Sequence, residues 1–334
     1  MEEKTMKIPV SLIVDDPAPI ISVYYEHVAR RTTSDGRPII PTFPNDFLDQ
    51  FCDIVEKHGI KGKFSVIPMP GNKGDIVNGL DGVSREDLDE WLDTVKARVL
   101  PYFTVGPEML THHKAVDLET GEALSMNERD WASTQDRTTL TPYISKALAI
   151  LKDAGFSPIG VTSPWDFGIE VEDEYEAAIS RAVYETSGSK EAWFFLRQLR
   201  NVPKARPWVA LSEEGRTLVS IPGTLKDCTW QTINCPDTSD EYVSRAADEI
   251  LTEDGKSGEF VRVLESGGYP IMLMHWQGLM SNGLRTGLRV LNEIASRINN
   301  HYSDKVEWMS FEEIMRLVAA NPEEHPTPEC RRKA

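Results

Sequence analysis

The sequence predicts an α/β fold: a single distorted (β/α)7-type barrel with an inserted hairpin region. Two observations carry this. Apolar runs of strand length alternate with amphipathic runs of helix length along all 334 residues, the pattern that yields parallel strands joined by right-handed crossovers. Polar or unusual residues also collect just after strand after strand, where barrels of βα units carry their chemistry. No glycine-rich phosphate loop of either common spacing opens a helix, so a nucleotide-binding sheet has no support. Residues 1–320 are assigned to the barrel and 321–334 to a flexible C-terminal tail.

Residues 8–14 form the first apolar strand. Residues 45–58 place Phe47, Leu48, Phe51, Cys52, Ile54 and Val55 at helical spacing, with Gly59 as the stop. KGKFSVIPMPG is the next strand. Residues 84–98 start with Ser84 and carry Asp87 three positions on, close to a capping box. YFTVGPEMLTHH holds another strand, 142–154 a helix, FSPIGVTSPW a strand and 171–186 a helix. WVALSEEGRTLVSIPG reads as a hairpin turning at Glu213–Gly215. A helix at 241–252, the buried strand GYPIMLMHW and helices at 284–300 and 310–320 complete the order.

Composition narrows the partners. With 53 acidic and 36 basic residues the net charge is −17, which disfavours nucleic acid. No apolar run is long enough to span a bilayer, and MEEKTMKIPV lacks the layout of a signal peptide, so a cytoplasmic location is expected. Cys52, Cys228, Cys235 and Cys330 show no CxxC spacing and read as structural thiols. His27, His58, His301 and His325 read as surface residues, and Trp193, Phe194 and Phe195 as core. Trp131 lies in a long polar segment, 117–141, that either folds over a pocket or anchors a loop.

The stretch SLIVDDPAP ends a core strand on two adjacent carboxylates, Asp15 and Asp16. Neighbours on a strand point to opposite faces, so each can have its own task, although Asp-Asp-Pro also simply stops a strand. His112 and His113, the run Pro164–Asp166, and His275 follow later strands. Such residues collecting on one rim suggest a site.

In order and spacing these motifs resemble the polysaccharide deacetylases, the carbohydrate esterases with a NodB-type homology domain. LIVDDP, HGIKGKFSVIPMPGN, EMLTHHKAVD, GVTSPWDFG, DCTW and IMLMH stand where that family has its successive motifs, over roughly residues 8–318. The resemblance implies a distorted barrel of about seven βα units and a divalent metal, zinc being the expected ion. It implies Asp15 as general base, Asp16 and His112 as metal ligands, and His275 as general acid. Asp227 would orient and charge-tune His275. The backbone N–H of Trp165 would help hold the oxyanion, with Pro164, Asp166 and Trp230 around the substrate.

The chain departs from the family at two places. Val116 stands where the second metal-binding histidine belongs, four residues after His112. Two repairs are open: His113 with Asp117 keeps the four-residue step, or His112 binds and Asp117 reaches in from one position further. Asp117 is the expected third ligand and His113 the alternative, carboxylate and imidazole both being acceptable to zinc. Thr162 replaces the family arginine near the base, and Asp166 replaces a glycine.

Three functions follow: a metal-dependent hydrolase removing acetyl from an N- or O-acetylated carbohydrate, a metal-independent hydrolase of another small amide, or a carbohydrate-binding relative without chemistry. In none of them is nucleic acid or membrane a partner.

Overall fold

The computed structural model describes residues 7–23, 31–329 and 331. His27 and Cys330 lie outside the described residues.

Parallel strands alternate with helices. Strand β1 (Ile8–Asp15) is followed by helix α1 (Asn45–His58), β2 (Gly62–Val66), α2 (Arg85–Thr94) and β3 (Phe103–Pro107). Next come α3 (Arg137–Asp153), β4 (Gly160–Thr162), α4 (Glu172–Ser187) and β5 (Glu191–Phe195). The hairpin β6 (Trp208–Glu213) and β7 (Arg216–Ser220) leads to α5 (Asp240–Asp248) and β8 (Ile271–His275). Helix α6 (Thr286–Tyr302), β9 (Val306–Trp308) and α7 (Phe311–Ala320) close the order.

Local chemistry sets the boundaries. Gly59, at φ 65°, ends α1 by returning its N–H to the Val55 carbonyl. Ser84 caps α2 by accepting from the Asp87 N–H, and a complete capping box of Ser310 and Glu313 opens α7. Helix α3 starts earlier than its apolar period suggested. Asp136 caps it by accepting from Thr138 and Thr139, and Pro142 is carried inside the helix.

The strands lie in two sheets rather than one unbroken barrel ladder. One has the order β8–β1–β2–β3, with β9 beside the start of β1. The other has the order β6–β7–β5–β4, in which only the β6–β7 pair is antiparallel. The sheets meet at a bridge between Glu108 and Thr162 and, on the far side, where Thr224 donates to the Ile271 carbonyl at 2.9 Å.

Alternation along β1 divides the core. Leu12 and Val14 join the large outer cluster beneath the helices. Ile13 faces a smaller inner cluster with Trp193, Phe195, Val219, Ile271 and Leu273, closed below by Phe311, Ile314 and Met315 of α7. Burial of this kind contributes about 25 cal/mol per Å² of apolar surface.

Of the expected tail, two described residues are held in place. His325, expected at the surface, is buried between Tyr269 and the Pro207 carbonyl, and Arg331 pairs with Asp173 and Glu176. No helix among the described residues is long and apolar enough to cross a membrane.

Candidate active site

The C-terminal ends of β1, β3, β4 and β8 surround a cleft of about 370 Å³. Its lining includes Asp15, Asp16, Glu108, His112, Trp165, Asp166, Trp230 and His275. The two aspartates do not turn to opposite faces as a regular strand would require. Asp16 takes a left-handed φ of 65°, and this kink brings both carboxylates into one cleft. Met109, His112, Trp165 and Asp166 are also left-handed, with φ of 47–63°. Such non-glycine conformations cost of order 1–3 kcal/mol each and persist where the surroundings impose them.

Asp16 sits between three partners. Its Oδ1 lies 2.8 Å from His112 Nε2, its Oδ2 accepts from Gln277 Nε2 at 2.7 Å, and its N–H donates to Glu108 Oε2 at 2.6 Å. Glu108 Oε1 lies 3.4 Å from His112 Nε2. Asp16, Glu108 and His112 thus bring one donor atom each within 4.8 Å of one another, all buried. Burial works against the charge of Asp16, but His112 holds its carboxyl far below the ordinary range. Burial, and then the charges of Asp15 and Asp16, push Glu108 up to about 8.

A divalent cation fits this donor set. Three carboxylates crowd the site, and one ammonium, Lys63, accompanies them. A divalent ion with neutral His112 would bring the group to charge balance, which buried acids require. Two carboxylates and an imidazole suit zinc and also harder ions.

The third donor is not the one expected. Asp117 lies outside the cleft lining, on an exposed turn where its Oδ1 accepts from the Glu119 and Thr120 N–H groups. Residues 112–117 do not wind into a helix. Lys114–Val116 pairs with Ala123–Asn127 as a short hairpin and carries Asp117 away. His113 is also absent from the lining, its N–H tied to Thr111 Oγ1 at 3.0 Å. The resemblance points four residues forward of His112; the carboxylate stands four residues back, in the GPEML lead-in.

Glu128 is a further residue that the motifs do not point to. Fully buried, it accepts from the N–H groups of Leu110, Thr111 and His112 at 2.8–3.1 Å and from Tyr143 Oη at 2.7 Å. It fixes the loop that carries His112. Burial raises its carboxyl above the ordinary value, with these bonds pulling the other way. Trp131 serves this side as a loop anchor, its ring 4.4 Å from Tyr143.

On the opposite wall, Asp15 is the register partner of His275. His275 Nδ1 lies 2.7 Å from Asp227 Oδ2, which leaves Nε2 for the cleft. Asp227 is itself held by the N–H groups of Thr229 and Trp230 at 2.8 and 3.0 Å. Burial alone would lower the His275 pKa. The Asp227 hydrogen bond and the charges of Asp16, Asp227 and Asp15 outweigh it and hold the imidazole at about 9. The Trp230 ring stands 4.7 Å from His275, and the Trp165 ring 4.4 Å from His112. Pro164–Asp166 forms a turn on the rim, with Trp165 and Asp166 exposed.

Among the described cysteines, burial pushes the Cys52 thiol up to about 12 and Cys228 higher, as suits structural thiols.

No family model matches the sequence, and no curated protein matches it. Solved structures do match in shape. A Mycobacterium smegmatis protein assigned as a polysaccharide deacetylase aligns with 84% of this chain and 79% of its own, at TM-score 0.50 and 13% identity. A chitin deacetylase from the fungal pathogen Colletotrichum lindemuthianum aligns with 93% of this chain and 88% of its own, at TM-score 0.44 and 12% identity. A peptidoglycan N-acetylglucosamine deacetylase aligns with 93% and 89%, at TM-score 0.43 and 11% identity. The first shows the fold: this chain has the NodB-type deacetylase fold.

Proposed function

We propose that this protein is a divalent-metal-dependent hydrolase that removes an acetyl group from an N- or O-acetylated carbohydrate. One observation carries the reading. Asp16, Glu108 and His112 form a buried donor cluster in the same cleft as a carboxylate, Asp15, and a carboxylate-supported imidazole, His275. If the two sheets are read as one distorted (β/α)7-type barrel, this cleft lies at its C-terminal rim, where such folds do their chemistry.

Asp16, Glu108 and His112 would hold the ion. When bound, it would polarise the acetyl carbonyl and lower the pKa of a water. Asp15 takes a proton from the attacking water. Its Oδ1 is occupied by Lys63, and Oδ2 makes no hydrogen bond among the described residues, so Oδ2 is the basic atom. His275, whose protonated form the Asp227 hydrogen bond favours, gives a proton from Nε2 to the leaving nitrogen or oxygen, while Asp227 stabilises the cation through Nδ1. Trp165 and Trp230 offer faces on which a sugar ring can stack, and the backbone of the Pro164–Asp166 turn is the candidate oxyanion donor.

The test is acetate release from N-acetylglucosamine oligomers and from an O-acetylated sugar, after loading with zinc, manganese or cobalt. Release that chelator abolishes and metal restores supports the proposal. No release from metal-loaded protein on either substrate class contradicts it.

A second reading rests on a specific contact. Asp16 already satisfies both oxygens, with His112 and Gln277. In a metal-independent amide hydrolase, the His112 cation would polarise the carbonyl instead. Hydrolysis that survives chelation would favour that reading.

A further inference from the structure

We infer that Lys63 is the positioning residue of Asp15: from β2 it supplies the cation that β4, with threonine at 162, does not. The inference rests on the role of Asp15 proposed above.

Lys63 occupies an inward position of β2, between Ile13 of β1 and Thr104 of β3 in the strand register. Ile13 beside it and Phe195 across from it belong to the apolar inner cluster, while Thr104, Ser65 and Thr162 carry hydroxyls. The chain places a lysine here, with 0% of its surface exposed. A buried ammonium is costly unless every N–H is satisfied and its charge is paired. All three donors are used. Asp15 Oδ1 and Ser65 Oγ each accept one in close contact, and Thr162 Oγ1 accepts the third at 2.7 Å. Ser65 Oγ and Thr162 Oγ1 stand 2.9 Å apart, and the ammonium lies 4.8 Å from the Phe195 ring centroid. Lys63 thus has one anionic partner, Asp15, and a cradle of two hydroxyls on separate strands.

Reach explains the residue type. Asp15 is two residues beyond Ile13, so it lies on the same face one rung higher, about 6–7 Å along the strand. Lys63 starts from the lower rung, beside Ile13. A four-carbon stem climbs that rung; serine, threonine or asparagine would fall short. Thr162 is then the second wall of the cradle, which gives the departure at that position a physical role. Lys63 is not itself part of the cleft lining, and its hydrogen bonds go to Asp15, Ser65 and Thr162 rather than to the candidate metal ligands, so it acts on the cleft through Asp15.

The experiment is Lys63→Met, which keeps most of the stem and removes the charge, measured beside the parent, Asp15→Asn and the double variant. In metal-loaded protein, Lys63→Met should lower kcat about 100-fold, leave KM and divalent-ion affinity within about threefold, and cost less than about threefold more in the Asp15→Asn background. A folded Lys63→Met with kcat within about threefold of the parent overturns the inference, as does a full additional loss in the Asp15→Asn background. If Lys63→Met fails to fold, the double variant, which removes both charges, should fold; its failure also overturns the inference. A crystal structure of Lys63→Met decides without any substrate. The Asp15 carboxylate should leave its present position, and an unmoved carboxylate overturns the inference. Parent protein that releases no acetate would sink the proposed function, while the crystallographic result would still judge Lys63.

Discussion

Glu108 and His112 stand four residues apart on a single loop, with Glu108 Oε1 3.4 Å from His112 Nε2 and Asp16 Oδ1 2.8 Å from the same nitrogen. The left-handed turns at Met109 and His112 fold the loop back so that both side chains meet Asp16. This relationship fixes which variants should matter.

Asp117→Ala and His113→Ala should leave divalent-ion affinity within about twofold of the parent, because neither residue lines the cleft. Calorimetric titration checks this. A loss of tenfold or more in either variant would return that residue to the ligand set.

His275→Ala should lower turnover about 100-fold or more while leaving the fold intact, the usual scale for a lost acid–base group. Acetate-release kinetics with a thermal melt provide the check. Activity within about threefold of the parent would remove His275 from the mechanism.

The pH dependence of His275 has a definite sign. Its folded value, about 9, is above the ordinary imidazole value. The Asp227–His275 pair therefore contributes stability fully below about pH 6.5 and loses it as pH rises through about 9. NMR titration of the metal-free protein should show this imidazole deprotonating near pH 9, and Asp227→Asn should move the midpoint lower. A parent midpoint at or below 6.5 contradicts the pairing.

Glu128→Ala should destabilise the protein by about 3 kcal/mol or more, since it strands three buried N–H groups. Tyr143→Phe, which removes one neutral donor to the same carboxylate, should cost about 1 kcal/mol. Urea unfolding measures both. Equal, negligible losses would mean that the His112 loop does not depend on this carboxylate.

What the sequence made legible was periodicity and strand ends. Helix α1 showed its apolar face and its glycine stop, and Asp15, Asp16, His112 and His275 announced themselves as polar residues after apolar strands. Asp227 could be placed beside His275 only through the family resemblance. Glu108 and Lys63 were hidden for different reasons. Glu108 reads as an ordinary acid in a loop, although its bridge to Thr162 carries it on from β3 into the cleft. Lys63 sits in a run rich in lysine, HGIKGKF, where Lys61 is partly exposed and Lys63 is fully buried. Only the register against Ile13 separates them. Glu128 follows a polar hairpin whose folding back under residues 110–112 has no sequence signature.

The central claim is that Asp16, Glu108 and His112 hold a divalent cation. Titrating the chelator-treated protein with zinc by calorimetry, beside Glu108→Gln, tests it most directly. The account predicts one site per chain in the parent and an affinity loss of about 100-fold in Glu108→Gln, with the thermal melt of the metal-free variant close to that of the parent. Absence of binding to the parent, or equal affinity in the two proteins, would contradict it.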